Sequence, residues 1–463
     1  MRRVLLGLIC LAFIAGVAPA QKTNLTDGDL IICNIKDPAT ANYGPGSLLA
    51  MDPTTGLMYT FAPSLGTLNQ GPNWIEIASD NRNFMVGMLD YNSSYPGPHF
   101  LSVDAKGTVL KTLMSGTTSY DGLLNAFELD YDGKWIISCY YRLYEYDENA
   151  LTFSSFWYDT SRGSLNAIAI DRALGAADYV IGNSNSATST YPRLSGADRT
   201  GYVSTISQAN PCYVSAIRID RLTGDYICSG FGIDGAGGGG EFMSVTKAGV
   251  PTTLNYPNTG SVKMYRANGL YLDKMRDAYI LTYDWQTQPI PTLDAQYVCS
   301  VYKMDLNGVF ITMYNFSSTL LRSNFAPAGI TEYGSRHVVC NGTGKPGSTM
   351  KVKFTTRRPT EATEWYQLAC SFGYTRGIKM PSGEWLNLTW DPLMAMTALN
   401  TAPGIFQGFA GQLVNGEASA AIQIPANLPP NLNMTVFVSG IVLDKNAPGG
   451  IGSVGNTHWF VLS

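Results

Sequence analysis

Polar side chains recur at two fixed positions of a short segment that appears several times along the chain. Asparagine opens the segment in most copies, and a charged or phenolic residue follows three positions later. The residues concerned are Asn73, Glu76, Asn125, Glu128, Asn166, Arg218, Asn268 and Tyr271. Carboxylate and amide oxygens are the ligands that Ca²⁺ prefers in proteins. If these side chains converge, they predict a site for a ligand or a metal ion, with Ca²⁺ as the candidate cofactor.

The same asparagines have a structural alternative. A side-chain amide can bond to neighbouring backbone where a loop becomes a strand, so a repeated Asn at a strand entry requires no ligand. The structural interpretation is favoured, and the binding interpretation stays open. The two differ in geometry, because an ion needs the carboxylates of Glu76 and Glu128 and two Asn oxygens within reach of one point.

No familiar catalytic arrangement accompanies these residues. The three histidines, His99, His337 and His458, belong to no H-E-x-x-H motif, and no G-x-S-x-G elbow is present. The glycine run at 235–240 lacks the Lys-Ser/Thr pair of a phosphate-binding loop, so we interpret it as a loop. We therefore predict no catalytic residue.

Short segments with apolar residues at the third and fifth positions carry the candidate side chains. A period of two indicates a half-buried β-strand. The copies are NWIEIA (73–78), NAFELD (125–130), NAIAID (166–171), SAIRID (215–220), NGLYLD (268–273) and AGITEY (328–333). A second strand follows, and a hairpin such as LLAMDPTTGLMYTF (48–61) completes the unit. Four strands in about 40–60 residues are typical of one β-propeller blade.

The repeat predicts an all-β protein whose main part is a six-bladed β-propeller. DLIICN (28–33) has the pattern of a second strand without its first. AGITEY (328–333) would supply that missing strand and close the ring without an unpaired edge. HVVC (337–340) also has the pattern of a second strand, so a seven-bladed propeller is the alternative.

Cysteine ends several of the second strands, where we expect a small packing residue between adjacent blades. These cysteines, expected in one register, are Cys33, Cys139, Cys228 and Cys340. A disulfide between Cys33 and Cys340 at the seam stays open. Aspartates that end first strands are expected to form turns. They are Asp130, Asp171, Asp220 and Asp273.

Residues 1–20 have the pattern of a secretory signal peptide, with a basic start, an apolar run and an A-x-A end. We expect the propeller at residues 21–342 and a second domain at 343–463. The expected location is secreted, either extracellular or on the cell surface, with the periplasm as an alternative. We expect no transmembrane segment, because no later stretch is apolar enough to span a bilayer. The net charge of −4 and the lack of basic clusters predict no nucleic-acid partner.

Short alternating strands divided by Pro and Gly continue after a Gly-, Ser- and Thr-rich linker, and they predict an antiparallel β-sandwich. The segments at 371–393, 409–425 and 442–462 resemble a C-terminal β-sandwich module of large secreted proteins from planctomycete-like and other environmental bacteria. The propeller half resembles the broad NHL, lyase-like and gluconolactonase-like superfamily. Propeller lactonases use a comparable Glu/Asn/Asp cluster, but here the acidic residues come from adjacent early blades. The resemblance implies architecture and export.

These observations favour a secreted, non-catalytic binding or cell-surface interaction protein that uses the rim or channel of the propeller. Its partner would be a protein, a glycan or a small molecule, and the chain is expected to be a monomer. One alternative is a Ca²⁺-assisted lactonase, hydrolase or lyase with its site at the channel mouth. The other is a structural component of an envelope or matrix.

Overall fold

The structure is a computed structural model, and it describes residue 25 and residues 28–462 with gaps. The gaps lie at 37–42, 68–69, 79–82, 91–98, 115–123, 131–133, 148–149, 159–163, 172–176, 185–192, 208–212, 221–222, 232–239, 255–261, 274–276, 287–296, 316–326, 334–337, 357–358, 374–377, 382–384, 387, 430–431, 433 and 456. The expected signal peptide, His337 and most of the glycine run therefore lie outside the described residues.

Short strands form the regular structure of the described residues between 30 and 332. In chain order they are β1 (Leu30–Lys36), β2 (Tyr43–Met51), β3 (Met58–Leu65), β4 (Gln70–Ile77), β5 (Phe84–Asp90), β6 (His99–Val103), β7 (Val109–Met114), β8 (Leu124–Leu129), β9 (Trp135–Cys139), β10 (Arg142–Asp147), β11 (Thr152–Tyr158), β12 (Ser164–Ile170), β13 (Tyr179–Ser184), β14 (Leu194–Asp198), β15 (Gly201–Ser207), β16 (Tyr213–Ile219), β17 (Tyr226–Phe231), β18 (Gly240–Val245), β19 (Pro251–Thr253), β20 (Val262–Leu272), β21 (Ala278–Gln286), β22 (Tyr297–Met304), β23 (Phe310–Asn315) and β24 (Pro327–Glu332).

These strands form six four-stranded antiparallel sheets in the described part of the chain. Blade 1 has the order β24-β1-β2-β3, and blades 2 to 6 are β4–β7, β8–β11, β12–β15, β16–β19 and β20–β23. The first strands of successive blades lie against one another from β4 through β24, and β24 lies against β4 again. This closed order is that of a β-propeller, so the prediction of an all-β propeller is confirmed.

The seam of the ring lies in blade 1, where the two ends of the propeller sequence meet. β24 pairs antiparallel with β1, and Ile330 faces Ile32 across the pair. Both side chains are almost fully buried. The segment AGITEY therefore supplies the first strand of the blade that DLIICN enters, as the repeat predicted.

Turns with an Asp at their start connect third strands to fourth strands. In the first of them, the Asp52 carboxylate accepts a 2.8 Å hydrogen bond from the Thr54 amide. The Gly56 amide donates to the Asp52 carbonyl at 2.8 Å, and Gly56 has a φ of +71°. This positive φ is the reason for glycine at that position. Equivalent turns begin at Asp104 and Asp305.

In blades 2 to 5, the small residue near the end of the second strand faces the residue after the repeated Asn or Ser. These small residues are Gly87, Ser138, Gly182 and Ser229. In blade 6, Thr282 faces Ala267, the residue before the repeated Asn. A Cβ on Gly87 would overlap the Leu124 side chain of the next blade, so close approach between blades explains the size restriction. The expected common register of the cysteines is wrong: Cys139 faces Leu124, whereas Cys228 faces Ile217.

After the seam, the strands belong to a second domain. They are β25 (Val338–Asn341), β26 (Thr349–Thr355), β27 (Trp365–Ser371), β28 (Ile378–Lys379), β29 (Trp385–Leu386), β30 (Phe406–Gln407), β31 (Ala410–Gln412), β32 (Glu417–Gln423), β33 (Met434–Leu443), β34 (Ile451–Val454) and β35 (His458–Leu462). One sheet has the order β25-β26-β32-β30, the other has β31-β27-β33-β34, and β35 also pairs with β33. Phe354, Leu368 and Val438 pack in the core between them. The predicted antiparallel β-sandwich is confirmed.

One helix that the strand pattern did not predict, α1 (Pro392–Ala398), packs beside β27. Asp391 caps it by accepting from the Met394 amide at 2.8 Å, and its second oxygen accepts from the Phe372 amide at 2.7 Å. Pro at the first helical position also suits a helix start. No helix in the described residues is long and apolar enough to cross a membrane.

The segment HVVC belongs to the sandwich, because Cys340 in β25 faces Val352 in β26. It is therefore not a second strand of a seventh blade, and the sandwich begins at Val338, before the expected start at residue 343. Cys340 is a free thiol, and so is the buried Cys33 in the propeller. The disulfide left open between these two residues is not formed.

Glycines of the turns between third and fourth strands also join neighbouring blades. Gly249 in blade 5 lies on β15 of blade 4, and an added Cβ would overlap the Ile206 carbonyl oxygen. Gly107 in blade 2 lies in the same way on the Phe61 carbonyl of blade 1. Each of these turns therefore needs glycine for its positive φ and for contact with the preceding blade.

We predict that Gly249→Ala lowers the free energy of unfolding by about 3 kcal/mol or more, because backbone overlap adds to the strain of positive φ. The matched control is Gly224→Ala, where φ is +77° but the new Cβ meets only the flexible end of Lys247. That control should cost about 1–2 kcal/mol. Urea denaturation measures both, and equal losses in the two variants would contradict the predicted contact between blades.

Candidate functional site

A β-bulge lies at the repeated Asn or Ser of each first strand in blades 2 to 6. The registers of these strands shift between the residues on either side of Asn73, Asn125, Asn166, Ser215 and Asn268. A bulge leaves the extra residue unpaired and turns its side chain away from the regular pleat. The common sequence position therefore reflects a common backbone irregularity beside the axis of the ring.

Two of the asparagine side chains join adjacent blades. Asn73 Nδ2 donates to the Leu124 carbonyl at 2.8 Å, and Asn125 Nδ2 donates to the Leu165 carbonyl at 2.8 Å. In each case the acceptor is the residue before the Asn of the next blade. Asn166 Oδ1 accepts from the Ser164 hydroxyl at 2.8 Å. These bonds give Asn73 and Asn125 the structural role that was favoured from the sequence.

An ion pair crosses the centre of the ring. Arg218 Nη2 lies 2.6 Å from Glu76 Oε1, although 142 residues separate them in sequence. Arg218 belongs to blade 5 and Glu76 to blade 2, and these blades are opposite one another in the closed order of first strands. Both side chains are largely buried, at 13% and 14% exposure. The pair therefore spans the channel.

Further contacts hold Arg218 in place. Its Nε donates to the Leu270 carbonyl at 3.1 Å, and its guanidinium carbon lies 5.5 Å from the centre of the Trp74 ring. Burial alone would lower the pKa of Arg218, but the carboxylates of Glu76 and Glu128 raise it above its ordinary value. The guanidinium stays charged, and Glu128 lies close enough to contribute to this rise in the pKa.

Tyr271 has a different partner. Its hydroxyl donates to Glu332 Oε2 at 2.6 Å, which joins blade 6 to blade 1. Glu332 is 5% exposed and was not among the predicted site residues. Its signal in the sequence was weak, because AGITEY lacks the opening Asn and the charged fourth residue of the stronger copies.

The structure divides the predicted residues into three groups. Asn73, Asn125, Asn166 and Asn268 lie at the bulges. Glu76 and Glu128 lie near Arg218, and Tyr271 lies with Glu332. The described residues contain no cluster of three or more His, Cys, Asp or Glu side chains placed to hold a metal ion. One Glu76 oxygen is bound by the guanidinium, so the Ca²⁺ site stays a prediction without a ligand set in this geometry.

Aspartates at the ends of first strands join blades as well as forming turns. Asp130 closes its turn through a 2.7 Å bond from its amide to the Lys134 carbonyl. Its carboxylate is fully buried and accepts from the Tyr179 hydroxyl and from Arg199 of the next blade, both at 3.1 Å. The turn interpretation of these aspartates was therefore incomplete.

The same arrangement recurs one blade further on. Asp171 accepts from the Tyr226 hydroxyl at 2.9 Å and lies 3.1 Å from Lys247 Nζ. Burial, and then the negative charge of Asp171, raises the pKa of Tyr226. In both blades a buried carboxylate is satisfied by one phenol and one cation, which is how buried charges are tolerated.

Comparison with known proteins adds little to this geometry. No family model matches the sequence, and no curated protein matches it. The chain is similar to a solved structure titled "Structure of Dos1 propeller", with 13% identity and a TM-score of 0.35 over 88% of this chain and 95% of that chain. At this TM-score the similarity supports no conclusion about function, and the architecture stands on the strand pairing described above.

We predict that Glu76→Gln lowers the free energy of unfolding by about 3 kcal/mol, because it leaves Arg218 buried without its charge partner. The double variant Glu76→Gln/Arg218→Met should lose less than the sum of the two single variants. Urea denaturation of the wild-type protein, Glu76→Gln, Arg218→Met and the double variant gives the coupling free energy between the two side chains.

The matched control for this cycle is an exposed ion pair on the sandwich, Lys353 with Glu417, whose side chains are 37% and 53% exposed. Loss of that pair should change stability by less than about 1 kcal/mol. A coupling between Glu76 and Arg218 as small as that of the exposed pair would contradict the buried pair across the channel.

We also predict a loss of stability between about pH 10 and pH 12. Burial raises the pKa of Tyr279 from 10.0 to about 12. The unfolded chain then loses this proton near pH 10 while the folded chain keeps it, so stability falls as pH rises through this range. Urea denaturation at pH 8, 10, 11 and 12 gives the free energy of unfolding at each pH. In Tyr279→Phe this free energy should fall less steeply with pH than in the wild-type protein. An unchanged slope would show that this phenol does not contribute.

Proposed function

We propose that this chain is an exported, non-catalytic binding protein that acts as a monomer through the channel-mouth face of its propeller. The observation that carries the proposal is the ion pair between Arg218 and Glu76. It uses charged side chains at the centre of the ring for cohesion between opposite blades. Groups committed to one another in this way are poorly placed to polarise a substrate or to exchange protons with it.

The arrangement of the asparagines supports the same conclusion. The Nδ2 atoms of Asn73 and Asn125 bond to backbone carbonyls, which joins the first strands of blades 2, 3 and 4 at the channel mouth. The described second and fourth strands end at this end of the sheets, and the described first and third strands begin there. Binding residues are often found on connections that a rigid scaffold positions. The face at this end is therefore the ligand platform that we propose.

The first experiment uses the mature chain from Gln21. Mass spectrometry of secreted material should find Gln21 as the new N-terminus. Arrays of glycans and proteins, together with a small-molecule library screened by thermal shift, should give at least one saturable ligand. Ca²⁺ and EDTA should leave the thermal midpoint unchanged, and lactone and polysaccharide substrates should stay intact.

The outcome that contradicts this proposal is a Ca²⁺-dependent rise in the thermal midpoint that Glu128→Gln abolishes. Turnover of a lactone or polysaccharide that disappears in the same variant would contradict it too. Either result would support the metal-assisted enzyme instead. Tight association with the insoluble cell envelope, with no saturable ligand, would support the structural role.

A further inference from the structure

The connection between β9 and β10 in blade 3 consists of two residues, Tyr140 and Tyr141. Two-residue hairpin turns favour Gly, Asn or Asp, because the preferred turn types need positive φ. Neither tyrosine has a positive φ, so this turn is not one of the preferred types. Places where local sequence departs from the rule for its structure are often functional. Two tyrosines at the tip of a tight turn are such a place.

The turn is fixed next to the channel mouth. The Tyr140 carbonyl accepts a 2.7 Å hydrogen bond from the Leu165 amide of blade 4. The Leu165 carbonyl in turn accepts from Asn125 at 2.8 Å. The rings of Tyr140 and Tyr141 meet edge to face with their centres 4.2 Å apart. Hydrogen bonds therefore join the turn, the inner strand of blade 4 and Asn125 into one connected unit.

Further from the axis, the same end of blade 3 carries a cation on an aromatic ring. Arg142 faces Tyr158 across β10 and β11, and its guanidinium carbon lies 4.5 Å from the centre of the Tyr158 ring. Tyr158 is 57% exposed. A hydrogen bond with Tyr140 raises the pKa of Tyr141, so this phenol is neutral at ordinary pH. These residues combine apolar ring faces with hydroxyl groups and one positive charge.

Asn125, Tyr140, Tyr141, Arg142 and Tyr158 together are called the tyrosine stripe. They lie at the channel-mouth ends of the four strands of blade 3, from the inner strand β8 to the outer strand β11. With strands about 4.8 Å apart, the stripe is roughly 15 Å long and one blade wide. A stable protein interface needs about 800 Å² from each partner, which is more than five side chains provide. The stripe suits a narrow, extended ligand.

We propose that the tyrosine stripe binds an oligosaccharide that carries carboxylate groups. Sugar rings would lie on the tyrosine faces, which are apolar, while the phenol groups bond to sugar hydroxyls. The planar guanidinium of Arg142 matches a carboxylate in shape and charge. This inference rests on the proposed binding function and names the ligand class and the part of the face that takes it.

The test is calorimetric titration of the mature chain with oligogalacturonate and with oligomannuronate. The methyl esters of the same oligosaccharides are the matched uncharged ligands. Tyr158→Ala and Arg142→Gln should each weaken binding of the acidic ligands at least tenfold. Arg142→Lys should recover part of the affinity. The wild-type protein should bind the esters at least tenfold more weakly than the acids.

Trp390→Ala is the control variant, because Trp390 is an aromatic residue of the sandwich with 63% exposure. It should change the affinity by less than twofold. Thermal midpoints of all variants establish that they fold. Loss of affinity in a folded Tyr158→Ala or Arg142→Gln variant then reports on the stripe itself.

Three results would overturn the inference and distinguish it from the proposed function. Unchanged affinity in the stripe variants would place glycan binding elsewhere. Equal binding of acids and esters would remove the carboxylate from the proposal. Failure to bind either oligosaccharide, in a protein that captures another ligand, would sink the inference and leave the binding function intact. Absence of any ligand in the full screen would sink both.

Discussion

The pairing of β24 with β1 is the constraint on which the rest of the propeller depends. It joins residues 327–332 to residues 30–36 and gives the inner strand of every blade a neighbour on both sides. A closed ring fixes which blades are opposite one another. Arg218 and Glu76 meet because their blades are three positions apart in a ring of six described sheets. In an open row of the same sheets, these residues would lie far apart.

Closure of the ring also explains why the bulges of neighbouring blades lie at the same height along the axis. The Asn73 amide reaches the Leu124 carbonyl only if both inner strands break their pleat at the same height along the axis. The small residue of each second strand follows from the same condition, since Gly87 accommodates the Leu124 side chain of the next blade. Polar cross-links and tight packing therefore select the same register, which makes each blade specify the position of the next.

Much of the fold follows from local patterns in the sequence. The period of two, the Asp-to-Gly turns and the small residue of each second strand act within one blade, so they are visible without a structure. The match between DLIICN and AGITEY identified the seam by the same pattern. HVVC shows the limit of this reasoning, because a short apolar strand has the same pattern in a propeller and in a sandwich. Its pairing with β26 decides between them.

The candidate site could not be fully predicted, because its side chains bond to residues of other blades and the sequence does not show these contacts. The Asn residues were found through their common position, but their acceptors are backbone carbonyls that any residue could supply. The aspartates were visible as turn residues, yet Asp130 also binds Tyr179 and Arg199, which lie 49 and 69 residues away. Charged residues of one repeat gave no indication of their partners in another.

The seam has a consequence for the order in which the protein can be made. Strands β1 to β3 leave the ribosome first, but the strand that completes their sheet ends at Glu332. Blade 1 therefore waits through the synthesis of five other sheets with the inner edge of β1 unpaired. An unpaired edge readily captures a strand of another molecule. The chain must keep its first sheet apart from neighbouring copies until its own late strand arrives.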